Sequence, residues 1–145
     1  MSCLRAPRVF FAVRTAFVLA SRDGFRVVQF SVQENHVHLL VEADDPSSFT
    51  RGVLGLAIRI ARAVNRALGR RGRVWGDRYH ARPLTTPRAV CHALVYVLMN
   101  HRKHRRGAAA LDPCSPVVPA RMRLAATGWR RHGLIGFEER PRGSG

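Results

Sequence analysis

Two histidines separated by one residue, His36 and His38, sit in a run rich in Val, Leu and Phe. On a strand, side chains alternate between faces, so both imidazoles share one face. Such a pair can chelate one divalent ion, or it can be two ordinary polar residues on a half-exposed strand. Further along, Tyr96 and Asn100 are four residues apart. That spacing puts them one helical turn apart, where a phenol could act as a nucleophile beside a polar neighbour. Between the two clusters, Gly69 to Gly76 alternates Gly and Arg around Val74 and Trp75. This basic loop with an aromatic could hold phosphates and stack a base. Together these are the parts that metal-assisted phosphodiester transfer by a tyrosine requires.

The elements that must position these groups follow from periodicity. Phe10, Val13, Phe17 and Ala20 recur at helical spacing, predicting a helix over 8–20 closed by the Arg22-Asp23-Gly24 turn. Phe25–Val32 and Val37–Glu42, separated by Gln33, Glu34 and Asn35, predict an antiparallel hairpin. Ser47 or Ser48 is expected to cap a helix running to about Leu68, with Leu54, Ile58, Ala61, Val64 and Leu68 as its buried stripe. Arg59, Arg62 and Arg66 fall on a different face. A short extended stretch, Tyr79 to Arg82, precedes a third helix that Thr86 and Pro87 begin. Val90, Leu94, Val97 and Leu98 form its expected buried stripe, with His92, Tyr96, Asn100 and Lys103 on the opposite side. Beyond Arg106 the chain turns Ala-, Pro- and Arg-rich. An irregular, partly disordered tail over 107–145 is expected, in which only Trp129, Leu134, Ile135 and Phe137 could anchor a last element.

Composition narrows the partner. The 145 residues suit one small domain, here placed at 1–106, and 25 Lys plus Arg against 9 Asp plus Glu give a net charge of +16. All the bases but Lys103 are arginines. Such a surplus calls for an anionic partner, a nucleic acid before a membrane, because the apolar stripes look like core faces. Cys3, Cys91 and Cys114 have no close pair, so neither a disulfide framework nor a cysteine zinc site is expected. The apolar stretch Val9 to Ala20 is interrupted by Arg14 and is too short to span a bilayer. With no secretory signal in view, a cytoplasmic protein is expected.

Three blocks carry a family resemblance. Phe30 to Glu42 (FSVQENHVHLLVE) resembles the His-x-His strand of HUH single-strand DNA transposases. Gly72 to Arg82 (GRVWGDRYHAR) resembles their glycine, aromatic and Arg-Tyr-His block, and Leu94 to Asn100 (LVYVLMN) resembles the nucleophile helix of the REP-associated tyrosine transposases. The blocks keep the family's order and spacing across about residues 8–104. The resemblance implies a ferredoxin-like α+β fold, an antiparallel sheet with helices packed on one face. It implies that His36 and His38 bind Mg²⁺ or Mn²⁺, with Asn100 at the position of a third polar ligand. Tyr96 would attack phosphorus, giving a 5′-phosphotyrosine and a 3′-hydroxyl, with no nucleotide cofactor. Single-stranded or hairpin DNA and a second copy of the chain are the implied partners.

Arg59, Arg62, Arg66, Arg70, Arg71, Arg73, Arg78 and Lys103 are candidates for contact with the DNA backbone, or are solvated surface charges. Trp75 stacks a base or packs in the core; Tyr79 does the same or supports the sheet. One departure stands out: relatives begin with a further strand inside the sheet, and here only Met1 to Pro7 precede the first helix. A central strand is expected to be missing or truncated, leaving a gap unless a partner or a rearranged strand fills it. The competing expectation is therefore a catalytically inactive remnant that only binds DNA. A ribosomal or other RNA-associated basic protein is a weaker alternative, having no reason for the paired histidines.

Overall fold

The computed structural model describes residues 3–76, 79–104, 114 and 131–138. The β-branched and aromatic runs flanking Gln33 to Asn35 form the expected hairpin, β1 (Phe25–Val32) and β2 (His36–Ala43), within one residue of the predicted bounds. Before it comes α1 (Pro7–Ala20), with Pro7 in the first turn, where its missing N–H costs nothing. After it come α2 (Pro46–Leu68), β3 (His80–Leu84), α3 (Pro87–His104) and β4 (Arg131–Glu138).

The four strands form one antiparallel sheet in the order β1-β2-β4-β3. The slot in which a central strand was expected to be missing is filled by β4, which pairs with β2 on one side and β3 on the other. That strand comes from the stretch expected to be irregular. The residues beside it, 105–113 and 115–130, lie outside the described set, Trp129 among them. The physical reason for β4 is its pattern: Ile135 and Phe137 are buried on one face, and both neighbouring strands present edges whose N–H and C=O groups need partners. Pro83 is tolerated in β3 because β3 is an edge strand.

The antiparallel α+β class is as expected, with the helices divided between the two faces of the sheet. On β2, Val37, Leu39, Val41 and Ala43 join the main core with α1 and α2. Leu40 instead packs with Leu84, Val90 and Ala93 in a second, smaller core beneath α3. The placement of helices on one face thus holds for α1 and α2, whereas α3 covers the opposite face, the one to which His36 and His38 belong by alternation. A β-bulge between Val27 and Gln29 resets β1, so that Gln29 pairs with Leu40 and Ser31 with His38 on that same face.

Two details of α2 differ from expectation. Its cap is Asp45, whose Oδ1 accepts the Ser48 N–H at 2.8 Å, rather than Ser47 or Ser48; Pro46 then takes the first helical position. The buried stripe is Gly52, Val53, Leu56, Ile60 and Val64, leaving Leu54 and Ile58 about half exposed at 50% and 52%. Gly52 explains the choice of face: a Cβ there would run into the Phe25 ring, so only this side of the helix can approach β1 so closely. The helix ends at Gly69, which adopts φ 61° as a left-handed cap. Among the described residues no helix is long and apolar enough to cross a membrane, and the three cysteines are free thiols.

Candidate active site

The hairpin delivers the two histidines together. Their ring centroids are 4.9 Å apart at 83° on the face of β2 that α3 covers. His36 Nδ1 lies 2.8 Å from Asn35 Oδ1. An amide oxygen only accepts, so this bond places the ring proton on Nδ1 and the lone pair on Nε2, the arrangement that a metal-binding imidazole uses.

Thr86 Oγ1 accepts the Ala89 N–H at 3.1 Å and caps α3, as expected. From that start, Val90, Ala93 and Val97 fall on the buried side. Tyr96 sits at the border of this side, 36% exposed, and its ring meets His38 edge to face with centroids 5.4 Å apart. Histidine pair and phenol, read from separate parts of the chain, are therefore neighbours. Asn100 departs from expectation: it is 1% exposed rather than on an open polar side, and its Nδ2 has no hydrogen-bond partner among the described residues. Its position, 80° around the helix from Val90, brings it against the sheet rather than into solvent.

A cleft of about 610 Å³ opens between α3 and the β4–β3 end of the sheet, lined by His38, His80, Arg82, His92, Tyr96 and Gly136 among others. His80 and Arg82 were not singled out as site residues, although their alternation in an extended stretch marks them as sharing a face. Gly136 carries no sequence signal of its own; only the pairing of β4 with β2 and β3 brings it to the cleft.

The expected DNA-contacting groups scatter. Arg59, Arg62 and Arg66 are exposed on α2, in the layer across the sheet from Tyr96. Arg71 and Arg73 are exposed in the loop after α2, whereas Arg70 is half-buried and donates from Nε to Asn65 Oδ1 at 3.2 Å. Trp75 is a core residue: it is 9% exposed, donates Nε1–H to the Ala57 carbonyl at 3.0 Å, and stacks obliquely on Phe137 at 5.2 Å. Base stacking by Trp75 is thereby replaced by packing, because Val74 and Trp75 are the apolar residues that pin an otherwise polar loop. Tyr79 also packs on Phe137, at 5.8 Å, and supports the sheet. Arg78 and the Lys103 side chain lie outside the described residues.

A family model for IS200-like transposases matches residues 14–97, more than half of the chain. The chain belongs to the IS200-like transposase family. The matched span of this transposase holds His36, His38, His80 and Tyr96, and DNA transposition is accordingly its activity class, with DNA as its partner. No curated protein and no solved structure matches it. Among the described residues, no three His, Cys, Asp or Glu side chains cluster in the manner of a complete metal cage. An ion here would rely on the histidine pair, a neutral side chain and ligands from its substrate.

Proposed function

We propose that this transposase cuts and rejoins single-stranded DNA through Tyr96, close in kind to the REP-associated enzymes. The observation that carries the proposal is the ring contact between Tyr96 and His38. It sets a half-exposed phenol at the mouth of a cleft beside a strand-borne histidine pair.

In this mechanism the Tyr96 oxygen bonds to phosphorus as the bond from phosphorus to the 3′-oxygen breaks. The product is a 5′-phosphotyrosine with a released 3′-hydroxyl. The phosphodiester energy is kept in the covalent link, so no nucleotide cofactor is called for and a different 3′-end can reverse the step. His36 and His38 are the residues that would hold Mg²⁺ or Mn²⁺, and the hydrogen bond that His36 Nδ1–H donates to Asn35 Oδ1 fits that role. The buried Asn100 carboxamide fits as well, since it has polar capacity that the described protein leaves unused, and a half-turn of the amide presents Oδ1 in place of Nδ2. When bound, the ion supplies electron withdrawal from the scissile phosphate and offsets charge developing on its oxygens. The exposed arginines hold the DNA backbone, and the working form in the cytoplasm includes a second copy of the chain.

The test is incubation with labelled hairpin-bearing single-stranded DNA from the gene's flanks, in Mn²⁺ or in EDTA, followed by a denaturing gel. A metal-dependent adduct absent from Tyr96→Phe supports the proposal. DNA binding by a folded chain that forms no adduct supports the inactive remnant instead.

A further inference from the structure

A single row of residues crosses the sheet beneath α3. The registers pair Ser31 with His38, His38 with Gly136, and Gly136 with His80. Neighbouring strands are about 4.8 Å apart, so the backbone positions of His38 and His80 are separated by roughly 10 Å. Between them stands a position with no side chain. A Cβ built on Gly136 meets nothing within 4 Å, whereas one on Gly133, three residues earlier and on the packed face, would lie 2.6 Å from the Phe49 ring. Packing therefore accounts for Gly133 and does not account for Gly136. The space above Gly136 opens into the cleft that His38, His80 and Tyr96 all line.

We propose that Gly136 is the floor on which the scissile phosphate sits, and that His80 is a catalytic residue donating a proton to the departing 3′-oxygen. This rests on the assignment of Tyr96 as nucleophile. In a displacement at phosphorus the attacking and leaving oxygens lie roughly in line. Tyr96 stands on the His38 side of the row, which directs the leaving oxygen across Gly136 toward His80. Two other groups in the cleft fit less well. Arg82 shares the face, but a guanidinium does not release its proton. His92 is one turn before Tyr96 on the same helix and so stands beside the nucleophile rather than opposite it. Imidazole can carry and release a proton near neutrality.

The step balances as follows. The bond from Tyr96 Oη to phosphorus forms while the bond to O3′ breaks; the phenol proton leaves to solvent through the open cleft, and the His80 imidazolium gives its proton to O3′. On rejoining, neutral His80 takes the proton from an incoming 3′-hydroxyl as that oxygen bonds to phosphorus, the bond from phosphorus to Tyr96 Oη breaks, and the released phenolate takes a proton from solvent.

The experiment uses the full chain in Mn²⁺ with two single-stranded hairpin DNAs. One has an ordinary phosphodiester at the mapped cut, the other a sulfur atom in place of the bridging 3′-oxygen. A thiolate leaves without a proton. His80→Gln is expected to slow adduct formation on the oxygen substrate by about a hundredfold or more and to recover nearly the wild-type rate on the sulfur substrate. Recovery also shows that the variant is folded. Equal losses on both substrates, or no loss on the oxygen substrate, overturn the role of His80 and leave Tyr96 in place. A wild-type chain that forms no adduct on either substrate overturns both, and Tyr96→Phe should form none on either.

Discussion

The rings of His38 and Tyr96 meet edge to face, 5.4 Å apart and inclined at 72°. One residue comes from a hairpin strand and the other from the third helix, so the contact exists only in the folded chain. His38→Ala should therefore reduce adduct formation by at least two orders of magnitude, in keeping with the loss of a group that orders charge at the reacting phosphate. If His38 holds the ion, Mn²⁺ should raise the melting temperature of the wild type but not of this variant, a shift that follows from binding the folded state alone. An unaltered Mn²⁺ shift in His36→Ala and His38→Ala would place the ion elsewhere.

Gly52 is required by contact rather than by backbone conformation. Its Cα faces the fully buried Phe25 ring, and a methyl group there has no room. Overpacking costs about 1–3 kcal/mol, and the better helix propensity of alanine offsets at most about 1 kcal/mol of it. Gly52→Ala should lower the melting temperature by a few degrees. Gly55, whose added Cβ meets nothing within 4 Å, should accept the same change without loss.

Asp45 makes the start of α2 sensitive to pH. Hydrogen bonds from the Ser48 backbone N–H and hydroxyl hold its carboxyl below the usual carboxylate range. A depressed folded-state value contributes stability above the unfolded-state value, and that contribution is lost as pH falls through the folded one. Asp45→Ala should therefore melt below the wild type at neutral pH, with the gap narrowing in acid. Asp45→Asn, which still caps but does not titrate, should show little of that pH dependence. Thermal melts from pH 7 down to pH 3 would show whether the gap behaves this way.

The α2 arginines lie across the sheet from Tyr96. Replacing Arg59, Arg62 and Arg66 with Gln should weaken single-stranded DNA binding and flatten its salt dependence, by a slope of up to about 2 if each neutralises one phosphate. The rate of adduct formation at saturating DNA should hardly change. A full salt slope in the triple variant would show that the DNA path avoids α2.

The hairpin is legible in the sequence because Val, Phe and Leu runs with a polar break admit few alternatives, and the alternation that pairs His36 with His38 is a property of any strand. Tyr96 is legible for a similar reason, its angular distance from Val90. Less can be read for α2, where Leu54 and Ile58 form a second apolar stripe that competes with Val53, Leu56 and Ile60; the choice rests on one close approach, Gly52 to Phe25, which no periodicity contains. Trp75 illustrates another limit. A glycine- and arginine-rich loop reads as open, yet the loop is pinned by an indole whose N–H finds a carbonyl in α2. The cleft is least legible of all, because His80 and Gly136 become neighbours of His38 only through a strand contributed from the far end of the chain.

That strand has a consequence for the order of assembly. β2 and β3 are joined only through β4, which lies between them, so the sheet's middle is supplied by the last described element. Contacts this distant in sequence close slowly. On the ribosome, the hairpin and its helices would emerge well before the strand that joins them to β3. The cleft beside Tyr96 would take shape only after residue 138 is free to pair, which withholds the grouping of His38, His80 and Tyr96 from the nascent chain until synthesis has passed that point.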